Sequence, residues 1–422
     1  MKNKVPMKMI RKILYILTLL AMVAGSQAHA QDRLDSYLVE AAENNPGLKG
    51  EFSEYMAALQ KVPQVGALPD PQITFGYFIQ PVETKLGPQR ARISVSQMFP
   101  WFGTLGTRED AATEMARSKY EQFREAKSRL FYDVKSTYYN LYFTQKAIKI
   151  TNENLTILNT FYKVSLIKVE AGMASSVDVL RVEMEIADME NQLILFGDNL
   201  NAQRIQFNNL LNVDDFRTVL LPDTLANADI DMTEEAVIDS IRNGNHQVLQ
   251  MEFMQAAYDK QQIAAQKAGN PGIMVGFDYF LIGKGSNPTM ADAGKDAVVF
   301  PMIGMTIPIY RKKYTAMVKE AALMQESTEN KKLNKINVLE TTFEKANNDY
   351  RDAGRRIPLF LGQSDKAQKA LNILRTEYET AGKNFEEVLR MERQLLKYRL
   401  ELEKARADKD AAIAFIDYLA GK

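Results

Sequence analysis

The sequence predicts a mainly helical protein with a small β part: two long antiparallel coiled-coil hairpins and four short strands of the kind that build a transmembrane barrel. Three observations predict it. The chain is written twice, at an offset of about 200 residues. Each half carries a long helical run with apolar residues seven apart, and each half places two alternating segments ahead of that run.

The duplication is legible residue by residue. Leu48, Glu51 and Phe52 reappear as Leu249, Glu252 and Phe253, and Pro71, Ile73, Gly76, Tyr77 and Phe78 as Pro271, Ile273, Gly276, Phe277 and Tyr279. Gly172 and Gly382 each stand between two helical runs. A period this long marks the copying of one large unit and no solenoid. The expected organisation is a leader over 1–30, a first repeat over 31–225 and a second over 226–422. Each repeat reads helix, strand, strand, very long helix, glycine turn, return helix.

The first thirty residues have the pattern of a cleaved secretory signal. Lys2, Lys4, Lys8, Arg11 and Lys12 precede an apolar stretch from Ile13 to Ala24, and Ala28-His29-Ala30 offers a small-x-small cleavage site. Its removal takes five of 53 cations and none of 53 anions, leaving a net charge of −5. No basic face remains to argue for nucleic acid. Cysteine is absent, so an exported chain has neither a disulfide framework nor a thiol to acylate. His246 is the one histidine outside the leader, and a loop role in the Gly244-Asn245-His246 turn, matching Asn45, is its expected one. Nothing remains for Cys or His-assisted Ser nucleophilic chemistry, or for a histidine metal site. The composition argues against an enzyme and implies no cofactor.

From Thr104 to Ala171 there is no proline. Val134, Leu141, Ile148, Leu155, Tyr162 and Val169 recur at sevens, which marks a coiled-coil seam. About 65 residues at 1.5 Å each give a rod of roughly 100 Å. Gly172 supplies the turn, with Ser175 and Ser176 available to cap the return helix. Ile186, Leu193, Leu200 and Phe207 repeat the pattern on that helix, with Val182, Met189 and Phe196 beside them. In the second half Ile336, Phe343 and Tyr350 keep the step, and Pro358 with Gly362 predicts a kink or local break near 358–362. After Gly382, Val388, Leu395 and Leu402 carry the last helix.

The strands are expected at about 72–80, 91–99, 272–281 and 298–309. In the first, Ile73, Phe75, Tyr77 and Ile79 oppose Gln72, Thr74, Gly76 and Phe78. The fourth is interrupted by Pro301 and Pro308. Such lengths and alternation suit transmembrane barrel strands, and half-buried strands of a soluble sandwich would read similarly. Phe99, Trp101, Phe102, Tyr279, Phe280 and Tyr310 cluster near the segment ends as a candidate interfacial girdle. The connections 81–90 and 282–297, rich in Gly, Pro and charge, are expected as external loops. Four strands cannot close a barrel, and open edges in lipid cost several kcal/mol per unpaired group. Two chains would give eight strands with a filled interior; three would give twelve and a lumen.

Particular stretches carry a family resemblance: Asn44-Asn45-Pro46-Gly47-Leu48, Gly66-Ala67-Leu68-Pro69-Asp70-Pro71-Gln72, Gln97-Met98-Phe99-Pro100-Trp101-Phe102-Gly103, and the two glycine turns. In this order and spacing the chain resembles the TolC family of outer-membrane efflux channels along its whole mature length. The Leu-Pro-Asp-Pro and Phe-Pro-Trp-Phe-Gly stretches are most similar to the branch associated with heavy-metal efflux of the resistance-nodulation-division (RND) type. The resemblance implies a homotrimer with a twelve-stranded barrel in the outer membrane and an α-helical tunnel in the periplasm. It also implies a periplasmic adaptor and an inner-membrane pump as partners. No phosphate loop encodes an energy source, which suits a passive duct.

In related channels acidic residues after the tip turns ring the entrance. The matching step from Gly172 reaches Asp178; from Gly382 it reaches Val388, with Glu386 and Glu387 just before. Asp178, Glu386 and Glu387 are therefore candidate entrance carboxylates, against the plainer role of helix-start acids favoured by the dipole. The 20 methionines are read as core and seam filler, scattered without a Met-x-x-Met run. The function expected is an exit duct of a tripartite efflux system for metal ions or drugs. The alternatives are a type I secretion duct for a protein or peptide, and a non-transporting periplasmic coiled-coil or adaptor protein.

Overall fold

The computed structural model describes residues 33–226, 228–284, 294–381 and 385–422. The leader, most of the second strand-to-strand connection and the Gly382 turn lie outside them. The helices are α1 (33–44), α2 (Pro46–Gly66), α3 (Thr104–Glu170), α4 (Ser176–Leu211), α5 (Glu234–Gly244), α6 (His246–Ala268), α7 (Arg311–Ala381) and α8 (Phe385–Leu419). The strands are β1 (Gln72–Thr84), β2 (Gly87–Phe99), β3 (Gly272–Ile282) and β4 (Ala297–Thr306). The chain divides into two compact units, and each takes segments from both halves of the sequence.

One unit comprises residues 51–123 and 246–335. Its strands form a single antiparallel sheet in the order β1-β2-β3-β4, so the two strand pairs join through β2 and β3. The first connection is no loop. β1 and β2 run on through 81–90 to a two-residue turn at Lys85-Leu86, closed by Thr84 paired with Gly87, with a bulge between Tyr77 and Val82. Thr84 Oγ1 donates to the Gly87 carbonyl at 2.7 Å, and Gly87 takes a φ of 129° that its missing Cβ permits. Pro81 is accommodated because β1 is an edge, where a missing donor leaves no gap in the ladder. Pro301 sits in the other edge strand for the same reason, while Pro308 lies beyond the end of β4 at Thr306.

The other unit comprises described residues 33–50, 124–245 and 336–422. Its largest core packs Leu158 and Phe161 of α3, Val182 and Met189 of α4, Leu371 and Tyr378 of α7, and Phe385, Val388 and Leu395 of α8. Of the predicted seam on α3, Val134 and Leu141 are buried, and Ile148, Leu155, Tyr162 and Val169 are half-buried. Thr137, Thr144, Thr151, Leu158 and Ser165 form a second heptad row, every member buried. Thr137 and Ser165 fold their hydroxyls back onto the carbonyls of Asp133 and Tyr162, both at 2.8 Å, which offsets the cost of burying such groups.

The expected break near Pro358 is not there: α7 runs unbroken from Arg311 to Ala381 with Pro358 inside it. One interior proline costs a hydrogen bond and a ring clash, about 3 kcal/mol. Burial of Ala353 before it and of Ala367 and Leu371 after it holds the helix on both sides. Arg356 adds ion pairs to Asp352 and to Asp408 of α8, each at 2.8 Å. His246 is also not a loop residue. It opens α6, buried, with Nδ1 2.8 Å from Glu121 Oε2.

Candidate functional site

The sheet has two chemically distinct faces. Strict alternation puts Ile73, Phe75 and Tyr77 of β1 on one face. Pairing then carries Phe75 to Ile93, Ile93 to Tyr279 and Tyr279 to Val298, and likewise Ile73 to Val95 and Val95 to Phe277. This apolar face is bare in the protomer: Ile73 is 74% exposed and Ile303 73%. The opposite face pairs Thr74 with Ser94 and Ser94 with Asp278, then Gly76 with Arg92 and Arg92 with Phe280. On it Arg92 Nη2 donates to Asp278 Oδ2 at 2.7 Å, and the guanidinium lies 5.4 Å from the Phe280 ring centre. Both edges, β1 and β4, lack a partner strand within the sheet.

The candidate girdle residues divide between these positions. Phe99 ends β2, and Trp101 and Phe102 follow in the turn before α3, their rings 6.0 Å apart and edge to face. Tyr310, exposed, precedes α7. Tyr279 lies towards the hairpin end on the apolar face, with its hydroxyl bonded to Asp296. Phe280 alone among the six lies on the polar face, beneath Arg92.

In the helical unit, Gly172 turns the chain with a φ of 67°. Gly172 N–H donates to the Val169 carbonyl and Met173 N–H to that of Lys168, closing the end of α3. Ser175 then caps α4, accepting from the Val177 N–H at 3.2 Å. Asp178 sits in the first turn, where the helix dipole favours an anion. Arg181 brings the candidate carboxylates together: its Nη1 is 3.7 Å from Asp178 Oδ1 and its Nη2 3.2 Å from Glu386 Oε2. Glu387 pairs instead with Arg390. Val388 is fully buried in the core, which explains why that position carries no carboxylate. Gly382 lies outside the described residues.

Burial and the nearby Asp178 charge push the Tyr378 hydroxyl above its usual range. Burial also raises Glu185, against the pull of Arg393 at 3.1 Å. Sequence reasoning missed Arg181 and Arg390, although each stands three residues after an acid and shares its helix face. Among the described residues no group of His, Asp or Glu could hold a metal ion. No described helix is long and apolar enough to cross a membrane, which says nothing about a barrel.

Residues 37–213 match the model of the outer membrane efflux protein family. Comparison with curated proteins finds no match. Solved structures of similar fold include the outer membrane protein VceC of Vibrio cholerae, 14% identical with a TM-score of 0.75, covering 93% of this chain and 98% of that one. The open state of the outer membrane channel MtrE of Neisseria gonorrhoeae is 16% identical with a TM-score of 0.73, covering 92% and 89%. CusC, described for the changes accompanying its folding and transmembrane channel formation, is 16% identical with a TM-score of 0.74, covering 92% of each. Over residues 37–213 the chain is thus similar in sequence to the outer membrane efflux protein family, and along most of its length it shares the fold of these outer-membrane channels.

Proposed function

We propose that this protein is the exit duct of a tripartite efflux system, a homotrimer that passively conducts metal ions or drugs handed on by a periplasmic adaptor and an inner-membrane pump, RND-type by motif. The observation that carries the reading is the four-stranded sheet, apolar and bare on one face, polar on the other, with both edges open. In lipid those edges require partner strands, and the apolar face requires lipid tails. Three copies supply twelve strands, enough to enclose a lumen lined by the polar face. Phe99, Trp101, Phe102 and Tyr310 then mark one membrane interface, and Tyr279 lies towards the other. The repeats, 31–225 and 226–422, supply equivalent halves of each protomer's wall. Asp178, Glu386 and Glu387 form the entrance set, tripled by symmetry and tempered by Arg181 and Arg390.

The absence of native cysteine makes a direct test available. One cysteine is placed in β1, as Thr74→Cys, and a second is scanned along β4 at Val298, Val299, Met302 and Ile303. Registers that bring two Cα atoms within about 7 Å form a disulfide. A ladder ending at the trimer on oxidation is the expected result, with resistance to toxic metals or drugs retained in a strain lacking the native gene. Cross-linking that stops at dimers, or none at any register, overturns the twelve-stranded duct.

A further inference from the structure

A groove of about 620 Å³ lies within the sheet-bearing unit, lined by all four of its helices, α2, α3, α6 and α7. Sites that hold small ligands span about 300–1,000 Å³. Where the lining is buried it is alanine: Ala111 of α3, Ala264 and Ala265 of α6, and Ala321 of α7. Side chains this short leave open a space that leucine would fill, and an unfilled apolar space costs stability. Met317 and Met324 line the groove where it is exposed, and flexible thioether chains adapt to the shape of an apolar guest.

The charges along this groove are unbalanced. Its lining includes Lys61, Arg108 and Lys119 against one carboxylate, Glu320. Lys119 is already met by Glu54 Oε2 at 2.8 Å. Lys61 and Arg108 have no carboxylate partner among the described residues, and Lys61 reaches only Gln64 Oε1, at 3.4 Å. Two cations therefore stand free beside an apolar surface. Arg108 and Lys119 are eleven residues apart on α3, about 16 Å of helix, which is the length of the groove. A Cβ at Gly66 would stand 3.1 Å from the Glu109 carboxylate, and Lys119 meets Glu54, so α2 runs antiparallel to α3. Lys61 thus falls between Arg108 and Lys119 along that length.

We infer that this groove binds a single-chain amphipathic anion, its acidic head held by Arg108 and Lys61 and its alkyl chain laid over the alanines towards Met324. The site is complete within one protomer, so the inference goes beyond the duct reading and does not depend on it. A guanidinium and an ammonium bind a carboxylate, sulfate or phosphate head by charge-assisted hydrogen bonds. A cationic head on the same chain meets two like charges and one carboxylate. The apolar chain supplies the affinity, and the head supplies the sign.

The test measures binding of radiolabelled dodecanoate to the purified full-length protein in amphipol, by equilibrium dialysis. Dodecyltrimethylammonium carries the same chain with the opposite charge, and acetate carries the head alone. The wild type is compared with Lys61→Gln/Arg108→Gln, which removes the charge from exposed positions, and with Ala112→Leu/Ala268→Leu, which fills the groove from two half-buried lining positions. The expected result is about one dodecanoate per protomer in the wild type, weakened about tenfold or more in the charge variant and lost in the filled one. The cationic chain should bind at least about tenfold more weakly than dodecanoate, and acetate should not compete. Should the filled variant fail to assemble, the charge variant, whose packing is untouched, decides the matter. No dodecanoate bound by the wild type, equal binding by the wild type and the charge variant, or equal affinity for the two chains overturns the inference. Cross-linking between protomers judges the duct separately, so neither failure is mistaken for the other.

Discussion

Asn245 donates from its side-chain amide to the Leu419 carbonyl at 2.9 Å, closing the C-terminus of α8. Its counterpart in the first half, Asn45, makes the same bond at the same length to Leu210, closing α4. Residues after both helices take positive φ, Asn212 at 54° and Gly421 at 79°. The duplication therefore extends to individual hydrogen bonds. Each asparagine supplies a donor to a carbonyl that its own helix leaves unpaired.

Asn245→Ala leaves a carbonyl in that buried corner without this donor, at a cost of about 1–3 kcal/mol. Asn245 is buried and Asn45 only partly so. The expected outcome is a lower thermal midpoint for Asn245→Ala than for Asn45→Ala, read by circular dichroism in detergent. A larger effect at Asn45, or none at Asn245, would mean that water replaces the amide freely.

What the sequence made legible, and what it hid, follows from which residues carry a pattern. Apolar sevens from Val134 to Val169 marked the helix, but the parallel row through Thr137, Thr144 and Thr151 was silent, because threonine packs its methyl without reading as apolar; Thr137 satisfies its hydroxyl on the Asp133 carbonyl, whereas Thr151 buries its own without a partner. Alternation marked the strands; their meeting through β2 and β3 is a long-range choice that no local pattern encodes. Pro358 misled because its penalty, real locally, is small beside the packing on either side of it.

Arg181 stands between Asp178 and Glu386, so its removal tests the entrance proposal more sharply than removal of either acid. Arg181→Ala withdraws a cation and leaves both carboxylates, whereas exposed pairs of this kind contribute only about 0–1 kcal/mol to stability. The thermal midpoint should barely move. Cation selectivity in planar bilayers should rise, together with block by polyvalent cations, and Asp178→Ala with Glu387→Ala should lower both. Unchanged selectivity in all these variants would place the carboxylates away from the ion path.

Asp410 of α8 gives the folded state a definite pH dependence. Burial pushes its carboxyl up to about 6, from 3.8, and Lys409 only partly offsets this. The reason is geometric: the Lys409 ammonium is engaged by Asp229 Oδ1 at 2.6 Å and lies 5.7 Å from the Tyr350 ring centre. The folded value lies above the unfolded one, so the native state binds this proton more tightly. The stabilising contribution is then fully present below about pH 4 and is lost as pH rises through about 6. At neutral pH the fold carries a buried charge it would be more stable without, by about 3 kcal/mol. Asp410→Asn keeps the size and removes that charge. It should therefore raise the thermal midpoint at pH 7.5 and leave it nearly unchanged at pH 4. Glu392, raised chiefly by burial despite Arg375, Arg399 and the Asn154 amide at 2.8 Å, follows the same sign, so Glu392→Gln should behave alike. Equal shifts at both pH values would show that the substitutions act through packing, and a lower midpoint at pH 7.5 would show that the carboxylates are held by stronger partners than burial opposes.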